Sequence, residues 1–219
     1  MERLFLSGLP GCCVYRINGP SDQQRNHRHG RQFIADCIGH GGCQAHQHVY
    51  KAGNQQYQLD ASKKPMSTIE LAPLVASISE DMAPIAQQKS ISITHNAQPA
   101  QLDGMEDAIR LMVTNLTDNA IRYTPEGGRI ELRCFTRNGL SVVEVCDNGP
   151  GIAPEERQRV FDRFYRALGT KTSGTGLGLA IVKRIVDIHR GTIEIDDGLD
   201  GKGTTFRLTF PPLGASQPV

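Results

Sequence analysis

No stretch of this 219-residue chain approaches the roughly 18 consecutive apolar residues that a bilayer-spanning helix needs. The start, MERLFLSGLPGCCVYRI, is a broken apolar run and makes a poor secretory signal. The chain is therefore expected to be soluble and cytoplasmic, with no transmembrane segment. An excess of one charge sign is also missing: 24 Lys and Arg face 23 Asp and Glu, for a formal net charge of +1. With no long basic run, nucleic acid and anionic membrane surfaces are not the expected partners. A disulfide framework is missing too. Cys134 and Cys146 lie in expected strands, where a free cysteine behaves as a small hydrophobe. Cys12, Cys13, Cys37 and Cys43 crowd the first quarter, and in a reducing compartment all six would be thiols.

Residues 1–64 lack any sustained period of 2 or 3.6 and are rich in Gly, Gln, His, Arg and Cys. Cys37, His40, Cys43 and His46 recur every third residue, with His48 just beyond. Thiolate and imidazole are the ligands zinc prefers, but the long gap between two ligand pairs typical of a finger is absent. A poorly ordered segment is the expected reading. From Pro65 the pattern changes. Ser67 or Thr68 can cap a helix carrying Leu71, Leu74, Val75, Ile78, Met82 and Ile85 to about Gln88. Ser90 to His95 alternates as a short strand, and Asp103 with Glu106 resembles a capping box opening a second helix. Strands follow at Arg129–Thr136 and Ser141–Cys146 around an Asn138-Gly139 hairpin signal. A short helix after Pro154 carries Val160, Phe161 and Phe164, and GTKTSGTG is loop-like. Leu177–His189, apolar around most of its circumference, is expected to be a buried helix. Strands at Thr192–Asp196 and Thr204–Phe210 flank a glycine-rich turn. Residues 65–212 thus read as an α/β two-layer sandwich, with helices on one face of a mixed, largely antiparallel sheet, and residues 213–219 as a tail.

Three stretches carry chemistry. In NLTDNAIRYTP, Ile109, Met112, Val113, Leu116 and Ala120 mark a buried stripe, while Asn115, Asn119, Arg122 and Tyr123 share a neighbouring face over about two turns. Amide oxygens are hard ligands for Mg²⁺ and a guanidinium neutralises phosphate, although a polar solvated face fits this helix alone equally well. Asp147-Asn148-Gly149-Pro150-Gly151 ends a strand, where a carboxylate can accept a hydrogen bond from an exocyclic amine and glycines admit a flat base; a simple turn is the alternative. Gly174-Thr175-Gly176-Leu177-Gly178 precedes a helix, whose N-terminal N–H groups can bind phosphate. No strand precedes it, so it is not a Rossmann fingerprint, and no Gly-Lys-Ser/Thr follows, so it is not a P-loop.

The ordered series of the asparagine-rich helix, DNGPGI, VFDRFYRA and GTGLGLAIVKRIVDIHRG resembles the catalytic ATP-binding domain of bacterial sensor histidine kinases, within the ATPase superfamily shared with gyrase, Hsp90 and MutL. The resemblance covers about Ile69 to Pro211. It implies that Asn115 and Asn119 hold Mg²⁺ and the phosphates of ATP, and that Arg122 and Tyr123 contact phosphate and nucleotide. It makes Asp147 the adenine-reading carboxylate, with Gly149, Gly151 and Ile152 beside the base and Thr204 in support. Phe161, Arg163, Phe164 and Arg166 fall in the phenylalanine box that opens the ATP lid. Gly174, Thr175, Gly176, Leu177 and Gly178 close the lid on the phosphates. Gyrase- and Hsp90-like members place a general-base Glu four residues before the second Asn, where this chain has Asn115. The implied activity is therefore transfer of the γ-phosphoryl group to a protein histidine, followed by relay to a response-regulator receiver domain. The full-length family is usually anchored in the inner membrane.

The chain departs from that pattern before the ATPase region. Arg31-Gln32-Phe33-Ile34-Ala35-Asp36 resembles the lead-in to the family's phosphoacceptor segment, but CIGHGGCQ replaces the His-Glu-Leu-Arg-Thr-Pro run. His40 stands one place late, with no acid after it. The sequence is thus expected to be a truncated kinase whose dimerisation hairpin is lost or replaced, as a compensated reading-frame change would leave it. A histidine-bearing dimerisation domain would then have to come from another chain. Two other readings are a nucleotide-dependent interaction module without catalysis and a serine kinase of the anti-sigma type, the latter disfavoured because Asn115 stands where those enzymes carry Glu. A dimerising hairpin needs an apolar stripe on each of two helices, worth roughly 1.5–3 kcal/mol per buried large side chain. Residues 37–64 offer no such stripe. Incubation of the chain alone with [γ-³²P]ATP is expected to yield little or no acid-labile phosphate; stoichiometric label that disappears in His40→Gln would identify His40 as a working acceptor.

Overall fold

Period-2 and period-3.6 apolar spacing alternate along the described part of the chain, residues 66–165 and 176–214 of a computed structural model. The chain divides into two units, Met1–Gln56 and Tyr57–Val219, and every described residue belongs to the second. The strands are β1 (Ser67–Glu70), β2 (Ser92–Ala97), β3 (Gln101–Gly104), β4 (Arg129–Arg137), β5 (Leu140–Asp147), β6 (Thr192–Asp197) and β7 (Thr204–Phe210). The helices are α1 (Leu71–Gln87), α2 (Glu106–Tyr123) and α3 (Gly178–Ile188), with single 3₁₀ turns at Pro154–Glu156, Arg159–Phe161 and Leu199–Gly201. No helix among the described residues is long and apolar enough to cross a membrane.

A five-stranded sheet runs β2-β4-β5-β7-β6; β2 lies parallel to β4 and every other pairing is antiparallel. Alternation along the strands divides the sheet into two unlike faces. Leu132, Val145, Phe206 and Ile195 stand in one register row, and Cys134, Val143, Leu208 and Ile193 in the next. These rows join a single core with Leu74, Val75 and Ile78 of α1, Ile109, Met112 and Leu116 of α2, and Val182 and Val186 of α3. The opposite face carries the row Arg133, Glu144, Arg207, Glu194. There Glu144 is buried between two guanidiniums, with Arg207 at 2.7 Å and Arg133 at 3.6 Å. Arg133 also meets Glu131 at 2.6 Å, and Arg207 pairs with Asp196. The arginine stems cover the sheet and their heads neutralise one another's partners, so this face stays polar. At the hairpin, Asn138 and Gly139 both have positive φ, 53° and 78°, as the sequence signal requires.

The structure corrects several boundaries. Ser67 and Thr68 do not cap a helix; they belong to β1, which pairs with β3 in a separate two-stranded sheet that periodicity did not reveal. Burial of Ile69 and Leu102 favours this pairing over an extra helical turn, and Thr68 donates to Asp103 at 3.0 Å. Asp103 is therefore not part of a capping box: α2 begins after Met105 with no side-chain cap. The short helix expected after Pro154 resolves into two 3₁₀ turns. In α3 only Val182, Ile185 and Val186 are fully buried, while Leu179, Ile181 and Ile188 are half-buried.

The missing cap of α2 is supplied from across the fold. The Met105 N–H donates to His189 Nε2 at 3.0 Å, and His189 Nδ1, 2.7 Å from the Ile185 carbonyl, carries the ring proton. Burial lowers the His189 pKa below its ordinary 6.5, partly opposed by the Ile185 hydrogen bond. The unfolded chain therefore binds more protons than the folded one just below 6.5, and stability is lost as the pH falls from there through the lowered value. His189→Gln is expected to cost about 1–3 kcal/mol at pH 7.5 and to flatten this acid-side loss. Denaturant titrations at several pH values measure both. An unchanged pH profile in the variant would show that another group titrates.

Candidate functional site

The site is built along α2, whose buried stripe fixes the direction in which its polar face points. Asn115 is nearly buried, and its Nδ2 donates to the Leu111 carbonyl at 2.8 Å. That bond turns the amide oxygen outward, towards the first residue of α3. A Cβ placed on Gly178 would lie 3.3 Å from Asn115 Oδ1 and 3.8 Å from Asn119 Nδ2. Both asparagines therefore face the N-terminus of α3, where Leu177 is the cap residue and no side chain caps the helix. The first N–H groups of a helix have no partner within it, and an anionic ligand is one group that can take them. One turn further along α2, Arg122 pairs with Asp118 at 2.7 Å and Tyr123 is partly exposed.

The end of α2 also borders the end of β5. Asp147 is buried there, and its Oδ1 accepts hydrogen bonds from the Gly149 N–H at 2.8 Å and the Thr204 N–H at 3.2 Å. Burial raises the Asp147 pKa and these two N–H donors pull it back down. Both bonds fall on one oxygen. Gly149 leaves a space that its missing Cβ would fill, 2.9 Å from Asp147 Oδ1 and 3.5 Å from Thr124 Oγ1. The Thr124 hydroxyl beside that space is buried and has no hydrogen-bond partner among the described residues. Gly151 takes φ +79°, with its Cβ position 3.0 Å from the Gly203 carbonyl oxygen. Ile152 is half-buried against the core.

Asn148 locks this turn to β4: its Oδ1 accepts from the Arg129 N–H at 2.8 Å, and its own N–H donates to the Arg129 carbonyl at 3.2 Å. Arg157 closes the other side. Its guanidinium donates to the Ile152 carbonyl at 3.1 Å, the Ile195 carbonyl at 3.0 Å and Asp197 at 2.7 Å. Neither role could be read from the sequence, since an Asn in an Asn-Gly turn and an Arg in a charged segment carry no distinguishing pattern. Gly198 and Gly203 were legible only as parts of a glycine-rich turn. In the fold, a Cβ on either would collide with the Asp147 carbonyl oxygen.

The phenylalanine pair divides. Phe161 packs edge-on against Phe206, ring centroids 6.5 Å apart, and belongs to the core margin. Phe164 is 72% exposed and Arg163 is exposed beside it. The Phe164 N–H donates to the Gly176 carbonyl at 2.9 Å, and Gly176 has φ +67° with no room for a Cβ against Phe164. Arg166, Gly174 and Thr175 lie outside the described residues, as does His40. Among the described residues no group of three or more His, Cys, Asp or Glu could hold a metal ion. Any cation here would rest on the two amide oxygens and on a ligand's own oxygens. A separate hollow of about 620 Å³ lies on the polar face of the sheet, but its arginines are paired with acids, Arg129 with Asp200, Arg133 with Glu131 and Arg207 with Glu144.

Comparison with known proteins places these features in a family. Residues 104–214 match the model of the histidine kinase-, DNA gyrase B- and HSP90-like ATPases. The chain is similar to the sensor protein kinase PmrB of Pseudomonas aeruginosa, 40% identical over 153 residues that make up 69% of this chain and 32% of PmrB. It is also similar to the sensor histidine kinase CusS of Escherichia coli, 38% identical over 166 residues, 74% of this chain and 34% of CusS. The chain thus spans about a third of the length of these relatives. Among solved structures, the mycobacterial sensor histidine kinase MprB superposes with a TM-score of 0.58 at 30% identity, covering 67% of this chain and 97% of that one.

The Asp147 environment makes a prediction that needs no ligand. Its raised pKa means that the folded state holds the proton more tightly than the unfolded chain, so stability is present below the ordinary value of 3.8 and lost as the pH rises through the raised one. At neutral pH the buried carboxylate is a cost that Asp147→Asn removes while keeping an acceptor oxygen. The variant is expected to melt no lower than the parent at pH 7.5 in scanning calorimetry. A drop of several degrees would mean that the charge stabilises the fold.

Proposed function

Because the chain belongs to the histidine kinase-, DNA gyrase B- and HSP90-like ATPase family, we propose that residues 65–212 are the ATP-binding catalytic domain of a sensor histidine kinase. In this reading it passes the γ-phosphoryl group of ATP to a protein histidine in two-component signal transduction. Nucleotide binding is the common property of the family. The observation that carries the choice within it is Asn115. The residue one turn before Asn119 is an amide, held by the Leu111 carbonyl with its oxygen towards α3. An amide has no basic lone pair with which to take a proton from water, so hydrolysis has no general base at this position. An outward amide oxygen instead suits a ligand role.

Mg²⁺ fits the donors present: Asn115 and Asn119 would hold it, and when bound it would neutralise charge on the phosphate oxygens. The chain's own groups do the rest. Asp147 accepts a hydrogen bond from the exocyclic amine of adenine through the oxygen that Gly149 and Thr204 do not occupy. Gly149, Gly151 and Ile152 line the base. Arg122 and Tyr123 serve the phosphate end of the helix, and Gly176, Leu177 and Gly178 offer backbone N–H groups at the start of α3. Orientation and charge neutralisation are the main demands of phosphoryl transfer, and a site of amides, one guanidinium and backbone N–H groups supplies both. The acceptor is a histidine on a dimerisation domain, and a receiver domain takes the phosphate onward.

The test supplies the acceptor separately. The chain is incubated with [γ-³²P]ATP, Mg²⁺ and the isolated dimerisation domain of a related sensor kinase. Acid-labile label on the added domain is expected. In Asn119→Asp a carboxylate joins an already anionic triphosphate, and affinity for a non-hydrolysable ATP analogue should fall by at least about tenfold, close to 1.4 kcal/mol. Acid-stable label, or unchanged affinity of the variant in calorimetry, would contradict the assignment.

A further inference from the structure

The C-terminal end of α2 is held by a residue that the proposed chemistry does not use. After α1 the chain turns sharply: the Lys89 N–H donates to the Ala86 carbonyl, the Ser90 N–H to Gln87, and Ser90 takes the left-handed φ of 54°. That turn delivers the Lys89 side chain to the last turn of α2. Its ammonium donates to the carbonyl oxygens of Ile121 at 2.7 Å, Arg122 at 3.1 Å and Thr124 at 3.2 Å. An ammonium has three protons, and here each has a carbonyl acceptor. The backbone returns the contact, since the Gly127 N–H donates to the Lys89 carbonyl at 3.3 Å and the Ser92 N–H to that of Gly128 at 3.0 Å.

Carbonyls at a helix C-terminus have no partner within the helix and carry the negative end of its dipole. The Thr124 N–H satisfies the Ala120 carbonyl at 2.9 Å, and Lys89 takes the next two in sequence. We infer that Lys89 is a positioning residue for nucleotide binding: by clamping these carbonyls it fixes the backbone from which Arg122 and Tyr123 reach the phosphates. It touches neither nucleotide nor phosphate itself. Substitution separates the donating head from its stem and from its geometry. Lys89→Met keeps the apolar stem and removes the donors; Lys89→Arg keeps charge and donors in a different geometry.

The inference rests on the proposed nucleotide site, so the experiment separates the two. Calorimetric affinities for a non-hydrolysable ATP analogue with Mg²⁺ are measured for the parent, Lys89→Met, Arg122→Ala and the double variant, at a temperature well below each melting transition. A parent that does not bind the analogue overturns the nucleotide reading and the inference with it; an Arg122→Ala variant that binds as the parent does overturns the inference alone. With that reading intact, Lys89→Met should weaken binding about tenfold, and the effect should shrink to about twofold once Arg122 is gone, because the two act through one contact. Lys89→Arg should recover at least half of the loss on a logarithmic scale. A Lys89→Met effect of the same size with and without Arg122, or no effect in either background, would show a merely structural cap and overturn the inference. If Lys89→Met fails to fold, Lys89→Arg against the same Arg122→Ala background decides by the same non-additivity.

Discussion

The fold and the site both depend on a backbone-to-backbone contact at the end of β5. The carbonyl of Asp147 is approached by Gly198 and by Gly203, and neither position has space for a side chain. Gly203 also takes a φ of +80°, which glycine adopts at little cost. That closeness lets the N–H of Thr204, the first residue of β7, reach the Asp147 carboxylate. It also sets Gly151 against Gly203. The central strand pairing, the carboxylate and the glycine turn are therefore one unit. A larger side chain at either glycine would push β7 away from β5 and move the carboxylate with it.

Helix α2 is the second shared element. One of its stripes is fully buried among α1, α3 and the sheet, so the helix cannot rotate without exposing Ile109, Met112 and Leu116. The orientation of Asn115 and Asn119 follows from that burial. Its two ends are secured by residues distant in sequence: His189 at the start, through Met105, and Lys89 at the finish. Neither is a conventional cap. Each links the helix to a different neighbour, α3 in one case and the turn after α1 in the other. The opposite face of the sheet takes no part in this, because its arginines and carboxylates satisfy one another.

Much of this was readable from residues alone, and the reasons are physical. The stripes of α1 and α2, the Asn138-Gly139 hairpin and strands β4 to β7 are set by local periodicity and turn chemistry, which the sequence carries directly. The family motifs implied one site for Asp147, Thr204, Asn115 and Gly178; the structure sets Thr204 against Asp147 and Gly178 beside Asn115. Strands β1 and β3 escaped because each has four residues and is stabilised by a partner more than thirty positions away. The capping box at Asp103 failed for the same reason: Asp103 was taken by Thr68 and by the Gly214 N–H. Arg157, Lys89 and His189 were invisible because most of their partners are backbone carbonyls and N–H groups, which leave no trace in side-chain pattern. Phe164 reads as apolar yet is exposed, since its left-handed φ of 65° turns the chain to meet Gly176.

The most direct measurement is an NMR titration of the isotopically labelled chain with a non-hydrolysable ATP analogue, once with Mg²⁺ and once with chelator. The backbone amides of Gly149 and Thr204 should shift in both, because they share the Asp147 carboxylate proposed to read the base. The side-chain amides of Asn115 and Asn119 should shift further only when Mg²⁺ is present. Shifts confined to Arg129, Glu131, Arg133 and Arg207 on the polar face of the sheet would contradict the account and move the nucleotide to the other side of the molecule.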